Sequence, residues 1–113
     1  DWPYSKPVFV ASNSLKKIPQ HLQDKVTLIN GNPVDMLSDL SAKGYKNLYI
    51  DGGVTISNFL KEDLIDEMTI TIIPILLGDG ISLFGKSEKR LNFKCIDSKI
   101  VNNIVQNHFK RDR

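Results

Sequence analysis

LYIDGGVTISNFLKEDLIDEMTITIIPILLGDGISLFG, residues 48–85, is the stretch whose reading decides the fold. With Asn47 before it, Leu48-Tyr49-Ile50 is a short apolar run bounded by polar and glycine punctuation, which predicts a buried strand over 47–50. Gly52 and Gly53 follow, and without a Cβ they reach torsions closed to other residues and allow a ligand close to the backbone. Val54, Ile56, Phe59 and Leu60 then give one apolar side to a short helix. A strand, a glycine turn and a helix start together make an anion site, because the first N–H groups of a helix lack internal partners and carry the positive end of its dipole. The same Gly-Gly pair also suits an ordinary tight connection.

The second half of the stretch adds a strand. Met68-Thr69-Ile70-Thr71-Ile72-Ile73 alternates apolar residues with Thr, which predicts one face more buried than the other. Pro74 has no N–H for a ladder, so pairing should change or end there. Ile75-Leu76-Leu77 runs into a Gly78-Asp79-Gly80 loop, and Leu83-Phe84-Gly85 closes the unit.

Working outward, Lys6-Pro7-Val8-Phe9-Val10-Ala11 has strand length and ends in Ser12-Asn13-Ser14, a polar turn with local hydrogen-bonding capacity. Val26-Thr27-Leu28-Ile29 gives a second strand. Asn32-Pro33 signals a helix start, with Asn as cap and Pro in the first turn, and Gly44 a stop. A helix between strands at 26–29 and 47–50 predicts a right-handed parallel crossover, with ligands bound at the C-terminal strand ends. Phe93 to Ile100 and Ile104 to Lys110 read as an antiparallel hairpin around Val101-Asn102-Asn103, since asparagine tolerates positive φ. The fold class is therefore α/β, a mixed sheet expected to be mostly parallel with a C-terminal antiparallel hairpin and flanking helices.

At 113 residues the chain is read as one domain, 1–113. Hydrophobic content of 41% and charged content of 25% are globular values, which argues against disorder or a fibrous repeat. A net charge of +2 with scattered basic residues speaks against a nucleic-acid partner, and the tail Lys110-Arg111-Arg113 reads as a solvated end. No apolar run approaches membrane-spanning length. The lone Cys95 reads as a reduced, structural thiol, as expected of a cytoplasmic protein. His21 has no Cys, Asp or Glu at ligand spacing, so no metal is expected, and His108 reads as a plain strand residue. The opening Asp1-Trp2-Pro3-Tyr4, with no initiator methionine, reads as an entry partway through a domain.

Taken in order, Ile50-Asp51-Gly52-Gly53, Leu64-Ile65-Asp66-Glu67, Ile73-Pro74, Leu77-Gly78-Asp79-Gly80 and Leu83-Phe84 resemble the C-terminal part of the dihydrofolate reductase-like reductases. The likeness is to the bacterial branch related to the riboflavin-biosynthesis reductase domain. It implies an NADPH-dependent enzyme in which Gly52 and Gly53 sit under the cofactor pyrophosphate, often with a cis peptide between the glycines. The cradle would use Gly52, Gly53 and the amides of Val54, Thr55 and Ile56. The loop after the first strand would meet the adenosine ribose and its phosphate through Ser12 and Asn13, with Lys16 and Lys17 nearby. The resemblance places the first strands and the usual acid of the substrate pocket before residue 1, so no catalytic residue is assigned. Asp51 is the most tempting proton donor, but a structural role in the turn is the preferred reading, and Asp79 reads as loop-shaping. The implied substrate is a pteridine- or pyrimidine-type heterocycle. The alternative is a non-catalytic nucleotide-binding or interaction module, and unpaired sheet edges make a homodimer a further expectation.

Overall fold

The computed structural model describes residues 4–13 and 17–113, so Ser14 and Lys16 of the reading above lie outside the described residues. The chain forms two compact units, Asp1–Ile50 and Asp51–Arg113.

In the first unit, strands β1 (Val8–Ala11) and β2 (Val26–Ile29) pair in parallel, Val8 opposite Val26 and Ala11 opposite Ile29. Parallel partners need a long connection. Residues 12–25 supply it, with one turn of 3-10 helix at Gln20–Leu22. Helix α1 (Pro33–Ala42) starts as the sequence predicts, with the Asn32 side chain accepting from the Asp35 amide at 2.9 Å and Pro33 in the first turn. It ends where Gly44, at φ +94°, lets the chain turn back: the Gly44 amide donates to Ser41 O and the Tyr45 amide to Leu40 O, both at 3.0 Å. Tyr45 then meets Phe9 of β1 edge to face, ring centroids 5.2 Å apart. Met36 and Leu40, one helical turn apart, are buried together with Val26.

The second unit holds α2 (Gly53–Lys61) and a three-stranded antiparallel sheet of β3 (Glu67–Ile72), β4 (Phe93–Val101) and β5 (Ile104–Arg111) in the order β3-β5-β4. The expected alternation in β3 is observed over residues 68–71, with Met68 and Ile70 half-buried and Thr69 and Thr71 exposed, and it fails beyond them, where Ile72 and Ile73 are exposed. The β4-β5 hairpin turns through Asn102 and Asn103, at φ +48° and +68°, the pair of left-handed residues that suits the right-handed twist of the strands. Cys95 pairs with Phe109 and Asp97 with His108, so Ile96 is the extra residue of a bulge, and the exposed Cys95 thiol donates to Asp97 O at 3.4 Å.

Three expectations need correction. The strand at 47–50 does not form: residues 45–50 have no ladder partner among the described residues, and Tyr49 is 92% exposed. A strand exists only through its neighbour's hydrogen bonds, and apolar composition alone does not supply one. The crossover from 26–29 through α1 to 47–50 is accordingly absent, and parallel pairing is confined to β1-β2 while the mixed α/β class stands. The basic tail is not simply solvated. Arg111 is 10% exposed, its Nε donating to Asp63 Oδ1 at 2.6 Å and its Nη2 to Asp63 Oδ2 at 3.0 Å, while Nη1 reaches Asn92 O and Asp112 O. Arg113 adds bonds to Asp66 Oδ1 and Asp63 O, both at 3.0 Å.

Asp63 occupies the exit of α2. Its φ is +56°, the Asp63 amide donates to Leu60 O and the Leu64 amide to Phe59 O, both at 3.0 Å. A left-handed aspartate in the place where glycine is usual is strained, and the two-pronged Arg111 contact holds it there. Burial in this unit is sparse. Phe59 is its one described buried apolar side chain, and the two-pronged contact at the helix exit adds directional bonding to that burial.

The hydrogen bonds from Arg111 hold the Asp63 carboxyl below its ordinary value; burial opposes them, and the charges of Arg111, Arg113 and Lys89 add to the lowering. A depressed carboxyl stabilises the fold above the unfolded pKa and loses that contribution as pH falls through the folded one, so the window lies below about pH 4. Asp63→Asn, which tolerates the same backbone, is expected to lower the urea midpoint at pH 7 and to flatten its fall on acidification. A parallel acid titration of both proteins by circular dichroism checks this. At the hairpin, Asn103→Ala is expected to cost about 1–2 kcal/mol in the same denaturation measurement, because alanine resists positive φ.

Candidate functional site

The entry of α2 is built by its two glycines. Gly52 caps the helix at φ +90° and ψ 130°, a conformation that side-chain-bearing residues rarely adopt. Its amide donates to Asp51 Oδ1 at 2.8 Å, and its carbonyl accepts the first helical bond from Ile56 at 2.9 Å. The structural role preferred for Asp51 thus has a geometric basis, a carboxylate folded onto the next amide to shape the turn. Asp79 does the same to Gly80, also at 2.8 Å, in a loop where Gly78 takes φ +86°.

The arrangement leaves the amides of Gly53, Val54 and Thr55 without acceptors in the helix, and among the described residues no side chain caps the helix start. Ile56 is different from the other cradle residues, since its amide is already spent on Gly52 O. The corner is open: a Cβ built on Gly52 or Gly53 meets no heavy atom within 4 Å, and Val54 is 78% exposed. Three unclaimed donors at the positive end of a helix, facing open space, suit a phosphate or pyrophosphate. The cis peptide implied between the glycines is not present, for every described peptide bond is trans. A Cβ at Gly53 clashes with nothing in the chain, so an effect of substitution there reports on a ligand rather than on the turn.

Ser12 and Asn13 belong to the first unit and follow β1. The Ser12 amide extends the ladder to Ile29 O at 2.9 Å, and Asn13 Oδ1 accepts from the Gly31 amide at 2.8 Å. That bond ties the loops after β1 and β2 together, and Gly31, at φ +100°, is the residue that permits it. The carbonyl end of Asn13 is therefore committed to the scaffold. Lys17 is exposed.

Sequence reasoning missed the Asp63-Arg111 pair, and no local signal would have found partners 48 residues apart. It also missed a cavity beside the far end of α2 that brings Lys61, Lys86 and Lys89 around apolar side chains. Among the described residues no cluster of three His, Cys, Asp or Glu side chains is arranged to hold a metal, and no helix is long and apolar enough to cross a membrane.

Comparison with known proteins agrees with this layout. The family pattern of the RibD C-terminal domain matches residues 5–106. A crystal structure of a putative riboflavin biosynthesis protein from Shewanella sp. PV-4 is 58% identical and superposes with a TM-score of 0.96 over 100% of this chain and 64% of that one. Acinetobacter baumannii RibD, at 27% identity, gives a TM-score of 0.68 over 93% of this chain and 31% of its own. Two Bacillus subtilis proteins, both named as uncharacterized, are also similar. YwjB is 37% identical over 82% of this chain and 55% of its own length, and YyaP is 28% identical over 85% and 50%. The chain thus spans about half the length of the curated relatives it matches.

The two glycines should separate cleanly in urea denaturation. Gly53→Ala is expected to hold or raise stability, by up to about 1 kcal/mol, as alanine favours a helix and meets no obstacle. Gly52→Ala is expected to cost about 1–3 kcal/mol because of its backbone torsions.

Proposed function

Because the chain belongs to the RibD C-terminal domain family, we propose that it is part of an NADPH-dependent reductase acting on a pteridine- or pyrimidine-type heterocycle. The observation that carries this reading is the open entry of α2, where the amides of Gly53, Val54 and Thr55 point from a helix start with no acceptor of their own. The pyrophosphate of NADPH is the group those donors fit, and Gly52 and Gly53 let it approach the main chain. NADPH would supply the hydride. The residues of this chain would bind and orient the cofactor, with the positive end of the α2 dipole set against the phosphate charge and Asp51 holding the turn through Gly52. Ser12 is the adenosine-side candidate, joined by the amide end of Asn13. Neither the Asp51 nor the Asp79 carboxylate is assigned to proton transfer, because each is folded onto the amide that follows it.

The test is a titration of the protein with NADPH, followed by nucleotide fluorescence, in the parent and in Gly53→Val. The expected result is saturable binding with Kd below about 1 mM, weakened by tenfold or more in the variant while its urea midpoint stays near the parent's. Absence of saturation at millimolar cofactor, or equal affinity in Gly53→Val, overturns the cradle. This chain alone is expected to bind without turnover, so the catalytic arm uses the full-length protein: binding without NADPH oxidation there, when dihydropteridine and ribosylaminopyrimidine substrates are supplied, assigns the non-catalytic nucleotide-binding role instead.

A further inference from the structure

The geometry points to a second binding site, at the opposite end of α2 from the glycine corner, for a small anion with an aromatic or apolar body. The cavity there measures about 200 Å³. A cavity of roughly 150 Å³ already admits a benzene ring, so a fused or substituted ring is within reach. Its apolar lining is drawn from four parts of the second unit: Leu60 from α2, Met68 from β3, Phe84 and Leu91 from the loop, and Phe93 from β4. The loop is pressed against the helix at Gly85, where an added Cβ would lie 3.6 Å from Ser57 Oγ.

The polar side of the cavity is all of one sign. Lys61, Lys86 and Lys89 line it and no acidic residue does. Among the described residues none of the three forms an ion pair. Asp63, whose carboxyl Lys89 helps keep charged, is already gripped by both prongs of Arg111. The loop carrying two of the lysines turns locally between them: Ser87 Oγ donates to Lys89 O at 2.9 Å and accepts from the Lys89 amide at 3.3 Å. The Phe93 wall is fixed in turn, with the Arg111 guanidinium 5.6 Å from its ring centroid. Surface lysines are commonplace, but three unpaired ones around an apolar cavity are a recognition pattern. The ring of a ligand gains by leaving water, and its charge gains from ammonium groups in a cavity that no carboxylate lines. The matching chemistry is an aryl carboxylate or an aryl phosphate.

The site is tested by nitrogen-15 NMR titration of the protein with 1-naphthoate, 1-naphthyl phosphate and the uncharged isostere 1-naphthamide. The expected result is saturable shifts centred on residues 57, 60, 61, 84–86 and 89–93 for one or both anions, with the amide at least tenfold weaker. K86M/K89M is expected to weaken the anions tenfold or more, and Gly53→Val to leave them unchanged, which separates this site from the cofactor cradle. No saturation by about 10 mM overturns the proposal. So does equal binding of the amide by the parent protein, a reading that needs no variant to fold, or a shift pattern centred on the exposed apolar residues 72–83.

Discussion

Arg111, near the end of the chain, reaches back to Asp63 with two hydrogen bonds, and that contact fixes the second unit. Asp63 is where α2 stops and the chain turns toward β3, and it makes the turn with a left-handed backbone. The carboxylate is held from the side by Arg111 while Arg113 takes the Asp63 carbonyl, so the last residues of β5 and the tail close over the helix exit. The same guanidinium reaches Asn92 O, just before β4, and covers Phe93. One cation thus ties together the exit of a helix, the start of one strand and the end of another. A bidentate, charge-assisted contact has the directionality to do this where apolar burial is sparse.

Helix α2 carries contrasting chemistry at its two ends. Its entry is bare, with a glycine cap, unclaimed amides and open space, which is the condition for binding a phosphate on the main chain. Its exit is saturated with charge-assisted bonds. The bonds from Arg111 and Arg113 anchor the far end of the helix whose start presents the unclaimed donors. The lysine-lined cavity draws on the same support, since its Phe93 wall lies under Arg111.

The run from Ile72 to Phe84 is of another kind. Leu76 and Ile81 are fully exposed, and Ile73, Ile75, Leu77 and Leu83 are more than half exposed. Beyond Ile72, where β3 ends just before Pro74, these side chains have no regular backbone pairing to order them. The apolar character legible in the sequence says that such residues favour burial, and the described residues of this chain do not provide it.

The sequence by itself determined what short-range chemistry controls. Asn32-Pro33 started α1, Gly44 ended it, Asn102-Asn103 turned the hairpin, and the Gly52-Gly53 pair opened the entry of α2, because caps and turns are decided by residues within one turn of each other. Tertiary structure alone decided the rest. The apolar run at 47–50 needed a neighbouring ladder to become a strand and found none among the described residues. The basic tail became a clamp rather than a solvated end. Each of these depends on which groups far apart in the chain come within hydrogen-bonding distance, and that is a property of the folded backbone rather than of local residue order.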